Sequence, residues 1–312
     1  MRAFVVKEYA HPSKVPLSQD APEPKPKDDE VVVEVFSAGL NYYDILQAQG
    51  KYQNQPPFPF TLGSEFAGRI AAASPIPKGC PFKPGDKVFG AHLLPLPATM
   101  TYDQGAGLVG RAELKPGEWV LVTAAAGGVG IAAVQLAKAL GAKVIAAAGS
   151  QEKIDVAVRY GGADHGVNYG QPNWQKEVLK LTGGKGVNIV YDPVGMIRDS
   201  LKCIAWKGRA VVVGFAAGQI EKLPLNLVLL KNISIVGIHW GAYSIHEPQH
   251  IPEVHKAIND LLSSGRVKPV VYTEVFPLER LADGLHLLEQ RKTWGKVVVR
   301  IRDEKSGERA KL

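Results

Sequence analysis

Cysteine is nearly missing from this sequence, with Cys80 and Cys203 the only two among 312 residues. They lie far apart, so nothing suggests a disulfide framework, and a four-cysteine structural zinc lobe is excluded. Both read as small, partly buried side chains rather than nucleophiles. Long apolar runs are missing too, and none reaches the length needed to span a bilayer. The opening Met1-Arg2-Ala3-Phe4-Val5-Val6 enters a strand-like stretch at once, so no signal or transit peptide is expected and a reducing interior is the simpler compartment. Charge of one sign is not gathered on any arm or patch. The formal net charge is +7, yet basic residues are interleaved with acids. That argues against nucleic acid as the main ligand and for a solvated surface with some pull on anions such as dinucleotide phosphates.

What is present is ordinary globular material, 46% hydrophobic and 21% charged, in a length that suits two domains. The first third is β-rich, with strands predicted at Val31–Phe36, Gly68–Ala72 and Asp86–Gly90 between Pro/Gly turns such as Lys83-Pro84-Gly85. The middle alternates strand and helix. Strands are predicted at Trp119–Thr123, Lys143–Ala148, Asn188–Tyr191, Ala210–Val213 and Ser234–Ile238, and helices at Ile131–Leu140 and Glu253–Leu262, ended by Gly141 and Gly265. That alternation calls for an α/β fold, a doubly wound parallel sheet with helices on both faces. A last strand, Lys296–Ile301, precedes a charged tail. No repeat or low-complexity linker is visible.

The sharpest motif is Ala124-Ala125-Ala126-Gly127-Gly128-Val129-Gly130. It follows a strand, opens a helix and is followed by a second strand, which is the setting a dinucleotide fingerprint requires. Small residues let the backbone approach a pyrophosphate, and the helix start supplies N–H donors and a positive field. Ala126, Gly127, Gly128 and Val129 are therefore the expected cofactor loop. NAD-specific folds place an acid at the tip of the second strand, to hold the ribose hydroxyls. Here the strand runs into Gly149-Ser150-Gln151-Glu152-Lys153, with no acid at the tip. Ser150 and Lys153 suit a 2′-phosphate instead, while Glu152 should face elsewhere. Spacing alone leaves Lys153 open between phosphate ligand and solvated helix residue.

The segments Gly39-Leu40-Asn41-Tyr42-Tyr43-Asp44, Gln49-Gly50-Lys51-Tyr52, Leu62-Gly63-Ser64-Glu65-Phe66-Ala67-Gly68, Lys115-Pro116-Gly117-Glu118, Asp192-Pro193-Val194-Gly195 and Trp294-Gly295-Lys296-Val297-Val298, with the glycine loop, resemble in order and spacing the zinc-free quinone oxidoreductase (zeta-crystallin-like) branch of the medium-chain dehydrogenase/reductase superfamily. The resemblance covers nearly the whole chain. It implies a GroES-like β-rich catalytic domain over 1–110, a Rossmann NADPH-binding domain over 111–265, and a return to the catalytic domain with the tail over 266–312. It implies NADPH as cofactor, held by Gly149, Lys153, Tyr169 and Arg291 at the 2′-phosphate end, with Val194 and Phe215 as further cofactor contacts. A cation pair plus a phenol suits a dianionic phosphate. It also implies a homodimer joined through the edge strand Ser234–Ile238.

Zinc relatives in the superfamily carry a cysteine where this chain has Asn41 and a Gly-His-Glu motif where it has Gly63-Ser64-Glu65. An acid alone is too little for a tetrahedral catalytic zinc, so no metal is expected. His239, His246, His250 and His255 bracket a proline-containing loop and read as surface or core side chains. Without a Lewis acid, the feasible chemistry is hydride donation to an electron-poor acceptor, a quinone or an enone. The resemblance puts Asn41 and Tyr52 beside that acceptor, Asn41 to orient it and Tyr52 to donate a hydrogen bond to the developing oxyanion. Asp44 reads as a structural cap. Alkenal or enoyl reduction is the close alternative; a crystallin-like or RNA-associated NADPH-binding protein is the alternative of another class.

Two junctions depart from the family pattern. A barrel strand after Phe89-Gly90-Ala91 and a threonine-containing helix start after Ala106-Gly107-Leu108 have no counterpart. Chain breaks are therefore expected near Ala91–His92 and Leu108–Val109, with loops omitted from the numbering; the other reading is a genuinely shortened chain. At the other end, Ala310-Lys311-Leu312 is a close variant of the Ser-Lys-Leu peroxisomal address, while the family pattern points to the cytoplasm.

Overall fold

The structure, a computed structural model, describes residues 1–52, 55–91 and 102–303. Its strands in chain order are β1 (Ala3–Val6), β2 (Leu17–Ser18), β3 (Val33–Leu40), β4 (Phe60–Thr61), β5 (Glu65–Ile70), β6 (Lys87–Ala91), β7 (Trp119–Val122), β8 (Lys143–Ala148), β9 (His165–Asn168), β10 (Val187–Asp192), β11 (Ile204–Val212), β12 (Ser234–Gly237), β13 (Val271–Pro277) and β14 (Lys296–Arg300). The chain divides into two compact units, Met1–Pro97 with Tyr272–Leu312, and Ala98–Val271.

The second unit holds one six-stranded sheet in the order β12-β11-β10-β7-β8-β9, every neighbouring pair parallel. Its strands are near-continuous apolar runs because both faces are covered. Val120, Val122, Val144, Ala146, Ile189 and Tyr191 face one core, which takes the helix Gly128–Ala139 through Ala133, Val134 and Ala137. Leu121, Ile145, Ala147 and Val190 alternate to the other, which takes Trp174, Val178 and Leu201. This is the doubly wound sheet read from the sequence. Strand order reverses on either side of β7, so the crevice of such a sheet opens where the carboxyl ends of β7 and β10 part. At the opposite ends, Arg209 grips Glu118 with Nη1–Oε1 at 2.9 Å and Nη2–Oε2 at 2.6 Å, and its Nε donates to the Ala112 carbonyl at 2.8 Å. This bidentate pair ties the strand before the glycine loop to β11.

The first unit is β-rich. A five-stranded sheet runs β13-β14-β3-β5-β6 and a three-stranded one β2-β1-β4. Its core gathers Phe4, Val6, Leu40, Ile45, Phe276, Leu281, Leu285, Val297 and Val299, from strands and from the helices Tyr42–Ala48 and Leu281–Glu289. β6 is the edge of the described sheet, and Phe89 on it is 63% exposed.

One expectation is corrected here. The chain is 312 residues long with no omitted loop, and Leu108 and Val109 are consecutive in a π-helical segment, Ala106–Arg111. The Ala112 and Leu114 amides donate back across it to Gly107 and Leu108 at 2.9 Å each. There is no break at Leu108–Val109; the shortened chain closes with a wider helical turn. The other expected break, at Ala91–His92, reaches outside the described residues.

Candidate active site

The glycine loop sits at the carboxyl end of β7. Ala124 adopts a positive φ of 46°, Gly127 is the residue before the helix Gly128–Ala139, and no side chain caps that helix. Its first-turn N–H groups are left to the loop side, as an anion site needs. Gly130 cannot be anything larger: a Cβ there would lie 2.2 Å from the Ala124 carbonyl oxygen and 2.8 Å from Ala125 Cα. The neighbouring strand tip is fixed by Asp192, which is buried. Its Oδ1 accepts from Thr123 Oγ1 at 2.5 Å and the Val194 amide at 3.1 Å; its Oδ2 accepts from the Gly195 and Met196 amides at 3.0 and 2.6 Å. That carboxylate ties β10 to β7 and sets the loop carrying Val194. A Cβ on Gly195 would stand 3.4 Å from Phe215 Cδ1, so the loop after β10 lies against Phe215.

Beyond β8 the structure brings Gly149, Ser150, Lys153 and Tyr169 together. The register pairs Ala148 with Asn168, which sets the two strand tips side by side. A Cβ on Gly149 would meet the Tyr169 ring at 3.3 Å. Ser150 caps the helix Gln151–Arg159, its Oγ accepting from the Lys153 amide at 3.4 Å. No acid occupies this tip, and Glu152 is exposed. Arg291 belongs to the other unit, where it follows the helix Leu281–Glu289 with a φ of 57°.

In the first unit, Asn41 follows β3 and is the N-cap of the helix Tyr42–Ala48. Its amide N donates to Asp44 Oδ2 at 2.8 Å. Its side-chain Oδ1 accepts from Lys296 Nζ at 2.6 Å, and its Nδ2 donates to Glu65 Oε1 at 3.1 Å. Lys296 Nζ also lies 2.6 Å from Glu65 Oε2. Strand register explains the gathering: Val297 pairs with Leu40 and Glu65 with Gly39, so Lys296 and Glu65 flank the end of β3. Ser64 and Asp44 are buried, and Ser64 Oγ and Asp44 Oδ1 have no hydrogen-bond partner. Burial pushes the Asp44 carboxyl up to about 7, against the Asn41 amide and the Lys296 charge, which lower it; Glu65 adds to the rise. Tyr52 stacks edge-on to Tyr43 with ring centroids 4.5 Å apart, and burial raises its phenol above the ordinary value. It is therefore a neutral O–H, a donor rather than a phenolate. Motif reading quoted Lys296 but gave it no role; the signal was a lysine heading an apolar strand, Lys296-Val297-Val298-Val299.

Among the described residues, no group of three or more His, Cys, Asp or Glu side chains could hold a metal ion, and no helix is long and apolar enough to cross a membrane. His250 forms exposed pairs with Glu247 and Glu253.

Residues 27–131 match the alcohol dehydrogenase GroES-like domain and residues 128–260 the zinc-binding dehydrogenase family. The second match covers strands β8 to β12 of the parallel sheet, not Asn41, Ser64 or Glu65. The chain is 38% identical to rat (Rattus norvegicus) quinone oxidoreductase-like protein 2, over 93% of this chain and 90% of that one. It superposes on Escherichia coli quinone oxidoreductase complexed with NADPH with a TM-score of 0.82 at 27% identity, over 96% of this chain and 100% of the other. CurK enoyl reductase gives a TM-score of 0.80 at 27% identity, over 96% and 98%. With a doubly wound sheet carrying the glycine loop, a GroES-like β-rich unit carrying the Asn41 cluster, and this degree of likeness along the whole chain, the protein belongs to the quinone oxidoreductase family of the medium-chain dehydrogenase/reductase superfamily.

Proposed function

We propose that the protein is an NADPH-dependent, zinc-independent reductase that passes a hydride to a quinone-type acceptor. The observation that carries this reading is the pair of built sites: a glycine loop with no room for a Cβ at Gly130, and an asparagine amide bonded on both sides by charged groups. Bound NADPH would supply the hydride. The protein's part is to hold and orient. Backbone groups of Ala126, Gly127, Gly128 and Val129 would take the pyrophosphate, Gly149 giving close approach at the β8 tip. Ser150, Lys153 and Tyr169, with Arg291 on the strength of the family pattern, would take the 2′-phosphate, and Val194 and Phe215 the remaining cofactor surface. Asn41 and Tyr52 would offer N–H and O–H to the acceptor oxygen as charge develops on it. Zinc has poor ligands here, because Asn41 and Ser64 are neutral and Glu65 is already paired with an ammonium.

Likeness to CurK enoyl reductase favours a second reading, reduction of an α,β-unsaturated carbonyl by the same residues. Steady-state NADPH oxidation against a panel of quinones, enones and enoyl thioesters separates the two. Quinones should give the highest kcat/KM; a preference for enoyl thioesters would establish the second reading.

Cofactor choice has its own test. Lys153→Ala should shrink the preference for NADPH over NADH by roughly tenfold or more, as expected for losing a charge-assisted bond to a phosphate. An unchanged ratio of dissociation constants would remove Lys153 from the site. Assembly is proposed through β12, an edge strand of the parallel sheet. Beside it in sequence lie exposed Ile220, Leu225, Leu229 and Leu230, with Leu229 79% exposed. Exposed aliphatic side chains beside an edge strand call for cover, and a second copy would supply it. Leu229→Glu with Leu230→Glu should turn a dimer into a monomer in sedimentation; a monomeric unsubstituted protein would refute the proposal. A cytoplasmic or peroxisomal address rests on sequence alone, Ala310-Lys311-Leu312 lying outside the described residues.

A further inference from the structure

Lys296 is 8% exposed, and its side chain reaches from β14 over β3 to Glu65 on β5. The crossing depends on Gly39, where a Cβ would stand 2.6 Å from Lys296 Cε and 2.7 Å from Glu65 Oε2. The ion pair therefore occupies the space a side chain at residue 39 would fill. A carboxamide has one acceptor oxygen and two donor hydrogens. In Asn41 the oxygen is taken by the Lys296 ammonium at 2.6 Å and one hydrogen by the Glu65 carboxylate at 3.1 Å. Turning the amide over would set its NH2 against the ammonium and its oxygen against the carboxylate, so only one orientation is stable. The main chain of the same residue is tied by Asp44 Oδ2 at 2.8 Å. One amide hydrogen is left over.

We infer that Lys296 is a positioning residue of the acceptor site, acting with Glu65 to lock the Asn41 carboxamide so that its remaining hydrogen is offered to the acceptor oxygen. The inference rests on the reductase reading and adds to it the group that holds the donor in place. Oriented donors act without reorganising as charge develops, which is where their effect on rate comes from. Lys296 does this work without touching the acceptor.

The test uses the full chain with Lys296→Met, Lys296→Arg and Gly39→Ala, and two readouts. The first is kinetic. Lys296→Met should lower kcat with a quinone by about tenfold or more while moving the NADPH dissociation constant by less than about twofold. Lys296→Arg should recover part of the loss, since a guanidinium still donates to the Asn41 oxygen. Gly39→Ala, which displaces the pair but keeps both charges, should lower kcat in the same direction. The second is the hydrogen exchange of the Asn41 side-chain amide, assigned by its loss in Asn41→Asp. Exchange should quicken in Lys296→Met and slow again in Lys296→Arg. Unchanged kcat and exchange in Lys296→Met would overturn the inference. So would a parallel loss of NADPH binding, thermal stability and kcat that Lys296→Arg does not rescue. If the unsubstituted protein reduces no acceptor, the reductase reading fails by itself. Exchange then decides the Lys296 assignment, faster exchange upholding its hold on Asn41 and unchanged exchange refuting it.

Discussion

Replacing Gly130 by alanine is expected to weaken NADPH binding severely. The new Cβ would fall 2.2 Å from the Ala124 carbonyl oxygen and 2.8 Å from both Ala124 C and Ala125 Cα. All three are backbone atoms, so no side chain can swing away to make room. Relief requires the helix Gly128–Ala139 to move off the end of β7, and that helix start is what presents Gly127, Gly128 and Val129 to a pyrophosphate. A displacement of even one ångström separates N–H donors from phosphate oxygens and removes the charge-assisted bonds together, so affinity should fall by roughly a hundredfold or more. Overpacking a tight junction also costs stability, about 1–3 kcal/mol. Gly110→Ala makes the same chemical change with nothing within 4 Å of the new Cβ and serves as the control. Titration of both variants with NADPH, followed by quenching of tryptophan emission, checks the expectation. Comparable affinity in Gly130→Ala and the unsubstituted protein would mean that the cofactor binds elsewhere.

Asp44 should make stability fall as pH rises from about 4 to about 7. Its carboxyl is fully buried and held up at about 7 against an ordinary value of 3.8. Below pH 3.8 folded and unfolded chains are both protonated there, and Asp44 contributes no slope. Between the two values the unfolded chain releases the proton and the folded one keeps it. The unfolded state then binds fewer protons, so unfolding becomes easier with each step in pH. Above the folded value the slope from this group ends, with a total loss of roughly 4 kcal/mol. Asp44→Asn removes the titration while keeping an oxygen for the Asn41 amide. Its own cost, a buried NH2 where Oδ1 has no partner, does not depend on pH. The comparison is therefore one of slopes: chemical denaturation at a series of pH values should give a steeper decline for the unsubstituted protein than for Asp44→Asn. Parallel curves would show that Asp44 is ionised in the fold throughout.

Much of the parallel-sheet unit was legible because its signals are local. Val120-Leu121-Val122, Val144 to Ala148 and Ile189-Val190-Tyr191 are short apolar runs bounded by glycine turns, and the loop Ala124 to Gly130 falls between a strand and a helix. The β-rich unit was less so. β3 was read at 31–36 and lies at Val33–Leu40, because its residues are half-buried along most of its length and give no clean alternation. The helix Leu281–Glu289 was missed. Gly284 in its interior weakens the helical pattern, yet a Cβ there would press on Leu40 Cδ1 at 2.9 Å and Phe276 Cδ2 at 3.1 Å, so glycine is what lets the helix lie against β3. The role of Lys296 was invisible for a different reason. It meets Asn41 across 255 positions of sequence, through strand register that no window of residues contains. The barrel strand expected after Ala91 falls on residues outside the described ones. What the described residues show there is β6 at the edge of its sheet with Phe89 exposed.

The most direct test of the central claim is anaerobic oxidation of NADPH by a para-quinone, catalysed by protein that elemental analysis shows to be free of zinc and assayed with a chelator present. Turnover that needs NADPH, is unaffected by the chelator and is lost in Asn41→Ala is the result predicted here. No turnover with any quinone or enone, or activity that appears only when zinc is added back, would contradict it.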